Sequence, residues 1–157
     1  GMGRLFDAAA ALAGVREIVN YEAQAAVEFE ALANVEETGC YPFNYANGIV
    51  NPHPAWVALL HDRRSGVDIG RISARFHNGV AQMTRDVCCH LRDEHGVNEI
   101  VLSGGVWQNA TLLRRTLQLL QNDGFTVYTH HLVPANDGGL ALGQAMVAVA
   151  RTATADH

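Results

Sequence analysis

Apolar positions run along this chain in two rhythms. Leu5, Phe6, Ala9 and Leu12 share one helical face, and Gly14 is placed to end that helix. A second helix is expected from about Glu22 to Ala33, where alanine and glutamate dominate. Between Asn34 and Pro54 the character changes. The stretch "CYPFNYANGIVNPHP" sets Tyr, Phe, Ile and Val around Asn47-Gly48, a dipeptide suited to a two-residue turn, so a short β-hairpin is expected there. "PAWVALLHDRRSG" reads as a short helix after Pro54 that ends near Gly66. The strongest periodic signal follows: Ile69, Ile72, Phe76, Val80, Met83, Val87 and Leu91 step by three or four, predicting a long helix buried along that stripe.

The rest of the chain alternates. "NEIVLSGG" predicts an apolar strand, "NATLLRRTLQLLQNDG" a helix, "FTVYTHH" a second strand, and "DGGLALGQAMVAVA" a closing helix. Strand, helix and strand in this order make a parallel βαβ unit with a right-handed crossover. Ile100-Val101-Leu102, apolar throughout, is expected in the middle of such a sheet. The predicted class is mixed α/β in one domain spanning residues 1–157, with no internal repeat or clear linker.

Composition narrows the function. The chain has 157 residues, 48% of them hydrophobic and 17% charged, which suits a globular domain with its own core. Net charge is -5 and the basic residues are scattered, which argues against a nucleic-acid partner. No apolar run approaches the roughly 18 residues of a membrane span, and no signal-peptide pattern opens the sequence, so a cytoplasmic, non-membrane protein is expected. Cys40, Cys88 and Cys89 read as reduced core or boundary thiols, because adjacent helical positions point apart.

Two loops carry the candidate chemistry. In open α/β sheets ligands bind beyond the carboxyl ends of the strands, where Ser103-Gly104-Gly105 sits. A helix starts soon after, and its free N–H groups and positive dipole end favour a phosphate. A plain strand-to-helix turn would use the same glycines, and Asn109 would serve equally as the helix cap. The pattern is neither a Walker motif nor a GxGxxG fingerprint. "PANDGGLALGQ", residues 134 to 144, brings Asp137 to the same sheet edge. Asp137 reads either as the cap of the last helix or as a carboxylate ligand for a metal or a nucleotide's magnesium. Of the eight histidines, His90 and His95 have the wrong spacing for one helical face, and His130 and His131 point to opposite sides of a strand. His77, beside Phe76, reads as a satisfied helix-surface or interface histidine.

"LSGGVWQNATLL", "VPANDGGLALGQA", "ARFHNGVA" and the opening "GRLFDAAAALAGV" followed by "YEAQAAVEFEALA" resemble, in order and over nearly the whole chain, the C-terminal part of the hydrogenase-maturation carbamoyltransferase family, HypF. The resemblance implies an RNase H-like (actin-like ATPase) subdomain, the second half of a module similar to the tRNA threonylcarbamoyl-transferases in the actin, sugar-kinase and Hsp70 superfamily. It implies ATP or carbamoyl-adenylate as cofactor, a divalent metal, and a HypE-type partner whose C-terminal cysteine takes the carbamoyl group. Carried over by position, Gly104, Gly105 and Asn109 match the nucleotide-contacting loop, Asp137 the metal aspartate, and Asp7 and Glu22 acidic positions facing the ribose. No catalytic residue is assigned.

The sequence departs from the family in two respects. Ala23 stands where the family usually has glycine, and its methyl is expected to crowd the nucleoside near Glu22. The family's H-x3-H metal pair, carried by the first half of the module, has no counterpart here. The chain by itself is therefore expected to bind nucleotide weakly, to transfer no carbamoyl group, and to self-associate through the face that the N-terminal part would cover. Two other readings remain: an antibiotic-tailoring carbamoyltransferase relative, and a free-standing nucleotide-binding or regulatory subunit without chemistry of its own.

Overall fold

The computed structural model describes residues 1–155, with side chains described to residue 151. Helix α1 (Met2–Ala13) buries Phe6, Ala9, Ala10 and Ala13, and Gly14 ends it in the left-handed region at φ 80°. Helix α2 (Gln24–Ala31) starts two residues later than the composition suggests. The cause is Ala23, whose φ of 61° and ψ of 9° lie in the left-handed region, so the chain turns there before the helix can begin. The helix-favouring alanines hide this turn from a propensity argument.

The hairpin forms as expected. Strand β1 (Asn44–Ala46) pairs antiparallel with β2 (Ile49–Asn51), and the positive φ angles of Asn47 and Gly48 are those of a primed two-residue turn. Helix α3 (His53–Arg64) follows, with Pro54 in its first turn.

Helix α4 (Ile69–His95) is the axis of the fold. Asp68 caps it by accepting from the backbone N–H groups of Gly70 and Arg71, and Gly96 closes it. Its predicted stripe is buried from Ile72 to Met83, while Leu91 is 38% exposed. Burial also extends sideways to Ser73, Ala74, His77, Gly79 and Ala81, because α1, α2, α3 and the 37–43 loop wrap it on several sides. At Gly79 a Cβ would lie 2.4 Å from the Tyr41 carbonyl oxygen, so glycine is what lets that loop lie on the helix. The loop is tied down further by Arg75, which pairs with both Glu37 and Asp62, and by the Tyr41 hydroxyl, which donates to Asp62.

Strand β3 (Glu99–Leu102), helix α5 (Ala110–Asn122) and strand β4 (Thr126–Thr129) make the expected parallel βαβ unit, registered from Glu99 opposite Thr126 to Leu102 opposite Thr129. α5 packs on α4, and Leu102, Leu120 and Phe125 form a second small core with Cys88. One expectation is corrected. β3 does not lie in mid-sheet: among the described residues its one partner is β4, and Val101 is 67% exposed. An apolar strand signals burial on both faces, but the cover here does not come from these residues. The closing helix α6 (Leu140–Ala155) likewise exposes Leu142, Met146, Val147 and Val149.

Ala23 supplies a direct check on this geometry. Replacing it by glycine removes a Cβ penalty of roughly 1–2 kcal/mol at the cost of some unfolded-state entropy. Ala23→Gly is expected to stabilise the chain by about 1 kcal/mol, read as a higher denaturation midpoint; a lower midpoint would refute the left-handed turn.

Candidate functional site

The carboxyl ends of β3 and β4 open onto two loops that are joined to each other. Gly104 N–H donates to the Ala135 carbonyl oxygen at 2.9 Å, which brings the Ser103-Gly104-Gly105 turn against the 134–139 segment. Gly104 has φ 107° and ψ 157°, a conformation open to glycine and strained for other residues. A Cβ built there would meet nothing within 4 Å, and one on Gly105 would meet only the Cβ of Asn136 at 3.7 Å. The glycines therefore serve the backbone conformation and leave open space beside it. Between this turn and α6 lies a cavity of about 620 Å³ lined by Ser103, Gly104, His130, Asn136, Asp137 and Gln144, among others. That volume falls within the ordinary range of small-ligand sites.

Asp137 lies in a separate turn before the last helix, which begins at Leu140. Asn136 caps the short 3-10 turn (Asp137–Gly139) that precedes α6, its Oδ1 accepting from Gly138 N–H at 3.1 Å, and Asp137, the first residue of that turn, lines the cavity. Gly139 is held tightly: a Cβ there would lie 2.7 Å from the Pro134 carbonyl oxygen. Among the described residues no group of three or more His, Cys, Asp or Glu side chains is arranged to hold a metal. Asp137 thus brings one carboxylate to the edge of the cavity, which by itself makes no metal site.

The start of α5 differs from the expectation of free N–H groups. A 3-10 turn (Gly105–Gln108) comes first, and two of the helix's first amides, those of Thr111 and Leu112, are engaged. Glu30 reaches across from α2 and accepts from Thr111 N–H at 2.8 Å, and Asn109 Oδ1 accepts from Leu112 N–H at 2.8 Å. A carboxylate already sits at the positive end of the helix. The Thr111 and Leu112 amides are therefore not free to bind an anion.

Asn109 is in turn fixed by His77, which is fully buried instead of lying on the helix surface. Its Nδ1 lies 2.8 Å from the Ser73 carbonyl oxygen, an acceptor only, so Nδ1 carries the proton. Nε2 of the neutral ring then accepts from Asn109 Nδ2 at 2.9 Å, turning the Asn109 oxygen toward Leu112. The ring packs between Phe6 and Phe29, and this burial pushes its pKa below the usual histidine value, against the opposing effects of the Ser73 bond and of Glu30. Both ends of the Asn109 amide are occupied, leaving at most one amide hydrogen for a ligand.

The predicted site residues separate into three places. Gly104 and Asp137 line the large cavity. Gly105 and Asn109 line a smaller one of about 100 Å³ with Gly3, Phe6, Ala23 and Glu30. Asp7 and Glu22 line neither of these two; Glu22 is exposed in the turn before α2, and Asp7 Oδ1 is buried without a hydrogen-bond partner among the described residues. Sequence reasoning missed Glu30, which acts 81 residues away and has no local signature. It placed Ser103 in the glycine turn without assigning its side chain and set His130 aside with His131, yet their side chains are 2.9 Å apart. The sheet-edge argument applied to β3 reaches His130 as well when it is applied to the end of β4.

These elements define a class. The chain matches the family described as "Carbamoyltransferase, Kae1-like Domain, second subdomain" over residues 1–144. It is 36% identical over 144 residues to Carbamoyltransferase HypF of Rhizobium leguminosarum bv. viciae, covering 91% of this chain and 19% of that protein. It is 33% identical over 163 residues to the Carbamoyltransferase HypF homolog of Cupriavidus necator, covering 98% of this chain and 41% of that one. A crystal structure of full-length HypF in the phosphate- and nucleotide-bound form superimposes with a TM-score of 0.88 at 43% identity, over 94% of this chain and 20% of that one. HypF of T. kodakarensis shares the fold, with a TM-score of 0.83 at 22% identity over 94% of this chain and 19% of that one. The chain belongs to the HypF carbamoyltransferase family, and it spans about a fifth of the length of several of these relatives.

The buried imidazole gives a pH test. Because the native pKa of His77 is depressed, both states hold a neutral ring above about pH 6.5. Below that value the unfolded chain takes up a proton that the folded core refuses, so this contribution to stability falls as pH drops toward the lowered native value. His77→Leu should remove that dependence and cost about 2 kcal/mol at neutral pH, through the orphaned Asn109 amide. Denaturant titrations of both proteins at pH 7.5 and 5.5 measure the difference; equal pH slopes would contradict a neutral, buried His77.

Proposed function

We propose that this chain supplies the C-terminal wall of the nucleotide site of a HypF-type carbamoyltransferase. The reaction takes carbamoyl-adenylate, made from carbamoyl phosphate and ATP, to the C-terminal cysteine of a HypE-type partner in NiFe hydrogenase maturation. The partner's thiolate attacks the carbamoyl carbon, the C–S bond forms, and the bond to the adenylate oxygen breaks to release AMP. The observation that carries this reading is the Gly104–Ala135 hydrogen bond, which sets an open glycine turn and the Asp137 carboxylate on one ligand-sized cavity. The nucleotide and phosphate described for the similar full-length HypF support it, and the HypF relatives favour it over a tailoring carbamoyltransferase.

In this reading Gly104 and Gly105 admit the nucleotide against bare backbone, and Asn109 holds the turn in place while offering one amide hydrogen. Asp137 contributes one ligand to a divalent metal, whose role is to neutralise phosphate charge; its remaining ligands would come from outside these residues. Glu22 is exposed and open to a ribose hydroxyl. Asp7 offers an unpartnered carboxylate oxygen, reached only if its side chain turns outward. Cys88 and Cys89 take no part, since burial pushes both thiols up and away from the thiolate form. The exposed apolar residues of α6 and Val101 are the face on which the N-terminal part of the module would pack, and in its absence a second copy.

Calorimetric titration of the chain with ATP and magnesium should give weak binding, with a dissociation constant on the order of 1 mM. Asp137→Asn should abolish the gain that magnesium brings and leave adenosine binding as it was. Supplied with carbamoyl phosphate, ATP and a HypE-type acceptor, the chain alone should leave the acceptor cysteine unmodified by mass spectrometry. Carbamoylation of that cysteine would sink the account of a half-site.

A further inference from the structure

The parallel register of β3 and β4 ends at Leu102 opposite Thr129, so the next residue on each strand, Ser103 and His130, emerges side by side at the carboxyl edge of the sheet. Ser103 Oγ and His130 Nε2 lie 2.9 Å apart, and both side chains are exposed on the 620 Å³ cavity. We propose that this pair is a phosphate-oxygen site, taking either the phosphate of a nucleoside monophosphate unit or a free phosphate. The proposal rests on the nucleotide reading above and names the side chains that hold its anionic part.

Three observations carry it. First, two of the amides that usually bind an anion at a strand-to-helix junction are taken here. Thr111 N–H is held by Glu30 and Leu112 N–H by Asn109, and the Glu30 carboxylate repels an anion at that helix end. An anion here therefore needs donors other than these two amides. Second, the pair keeps one donor outward in either neutral tautomer. If Nε2–H donates to Oγ, the serine O–H points out; if Oγ–H donates to Nε2, the ring keeps Nδ1–H. Third, the pair sits beside the parts a phosphate requires. Gly104 leaves the backbone bare, and Asp137 lines the same cavity as a ligand for the cation that a bound phosphate would carry.

Exposure makes both residues open to substitution without loss of the fold, which circular dichroism would verify. The test uses the 157-residue chain with three probes: inorganic phosphate, AMP and adenosine, each with magnesium. Ring resonances of His130, assigned by their absence in His130→Gln, should move with phosphate and AMP and stay put with adenosine. Ser103→Ala and His130→Ala should each weaken AMP binding about tenfold and change adenosine affinity less than twofold; Ser103→Thr, which keeps the hydroxyl, should bind AMP as the parent does. Unmoved His130 resonances at phosphate and AMP concentrations on the order of tens of millimolar, or parent-like AMP affinity in both alanine variants, would overturn the site. The adenosine arm keeps the two ideas apart. Adenosine binding with a silent His130 leaves the nucleotide reading standing and removes this pair. A phosphate response without adenosine or AMP binding keeps the pair and removes the nucleotide.

Discussion

A buried imidazole must have both nitrogens partnered, and at His77 that requirement joins the helical core to the loop that faces the cavity. The ring, carried by α4, packs between Phe6 of α1 and Phe29 of α2. One nitrogen is spent on its own helix, and the other fixes the Asn109 amide so that its oxygen caps α5. Were the ring protonated, two donors would face each other and the cap would be lost. The position of α5, and through it the glycine turn after β3, therefore rests on a histidine kept neutral by desolvation.

That arrangement decides where a ligand can go. With Thr111 and Leu112 already satisfied, the helix start is a structural joint, and Glu30 makes it an unfavourable place for an anion. The open side of the turn is instead bounded by the 134–139 segment, which Gly104 holds by a backbone hydrogen bond. Glycine is required at 104 by the φ of 107°, and the emptiness beside it follows from that choice. The cavity is bounded by the carboxyl ends of β3 and β4, the two loops and α6. Val101 of β3 and the apolar residues of α6 are exposed.

Much of this was readable from local pattern. Asn47-Gly48 signals its turn, the Ile72 to Met83 stripe signals α4, and Asn109 caps α5, because each depends on residues a few positions apart. What escaped depends on distance in sequence or on backbone angles that composition does not encode. His77 and Asn109 are 32 residues apart and Glu30 and Thr111 are 81 apart, so nothing in a local window joins them. Ala23 reads as helix because alanine favours helix, yet its left-handed backbone ends that possibility. The exposure of Val101 contradicts its apolar setting because a strand reports how much cover it needs and not which chain supplies it. Of the six expected site residues, Gly104 and Asp137 meet at one cavity, while Gly105 and Asn109 meet at another.

Under the proposed function, a nucleotide contacts the turn and the 134–139 segment rather than the Thr111 and Leu112 amides of α5. Backbone amide shift mapping with ATP and magnesium tests it most directly. The account predicts movement at Ser103, Gly104, Gly105 and at Ala135 to Gly139, with Thr111 and Leu112 held still by Glu30 and Asn109. Large shifts at Thr111 and Leu112 with a quiet 135–139 segment would contradict it.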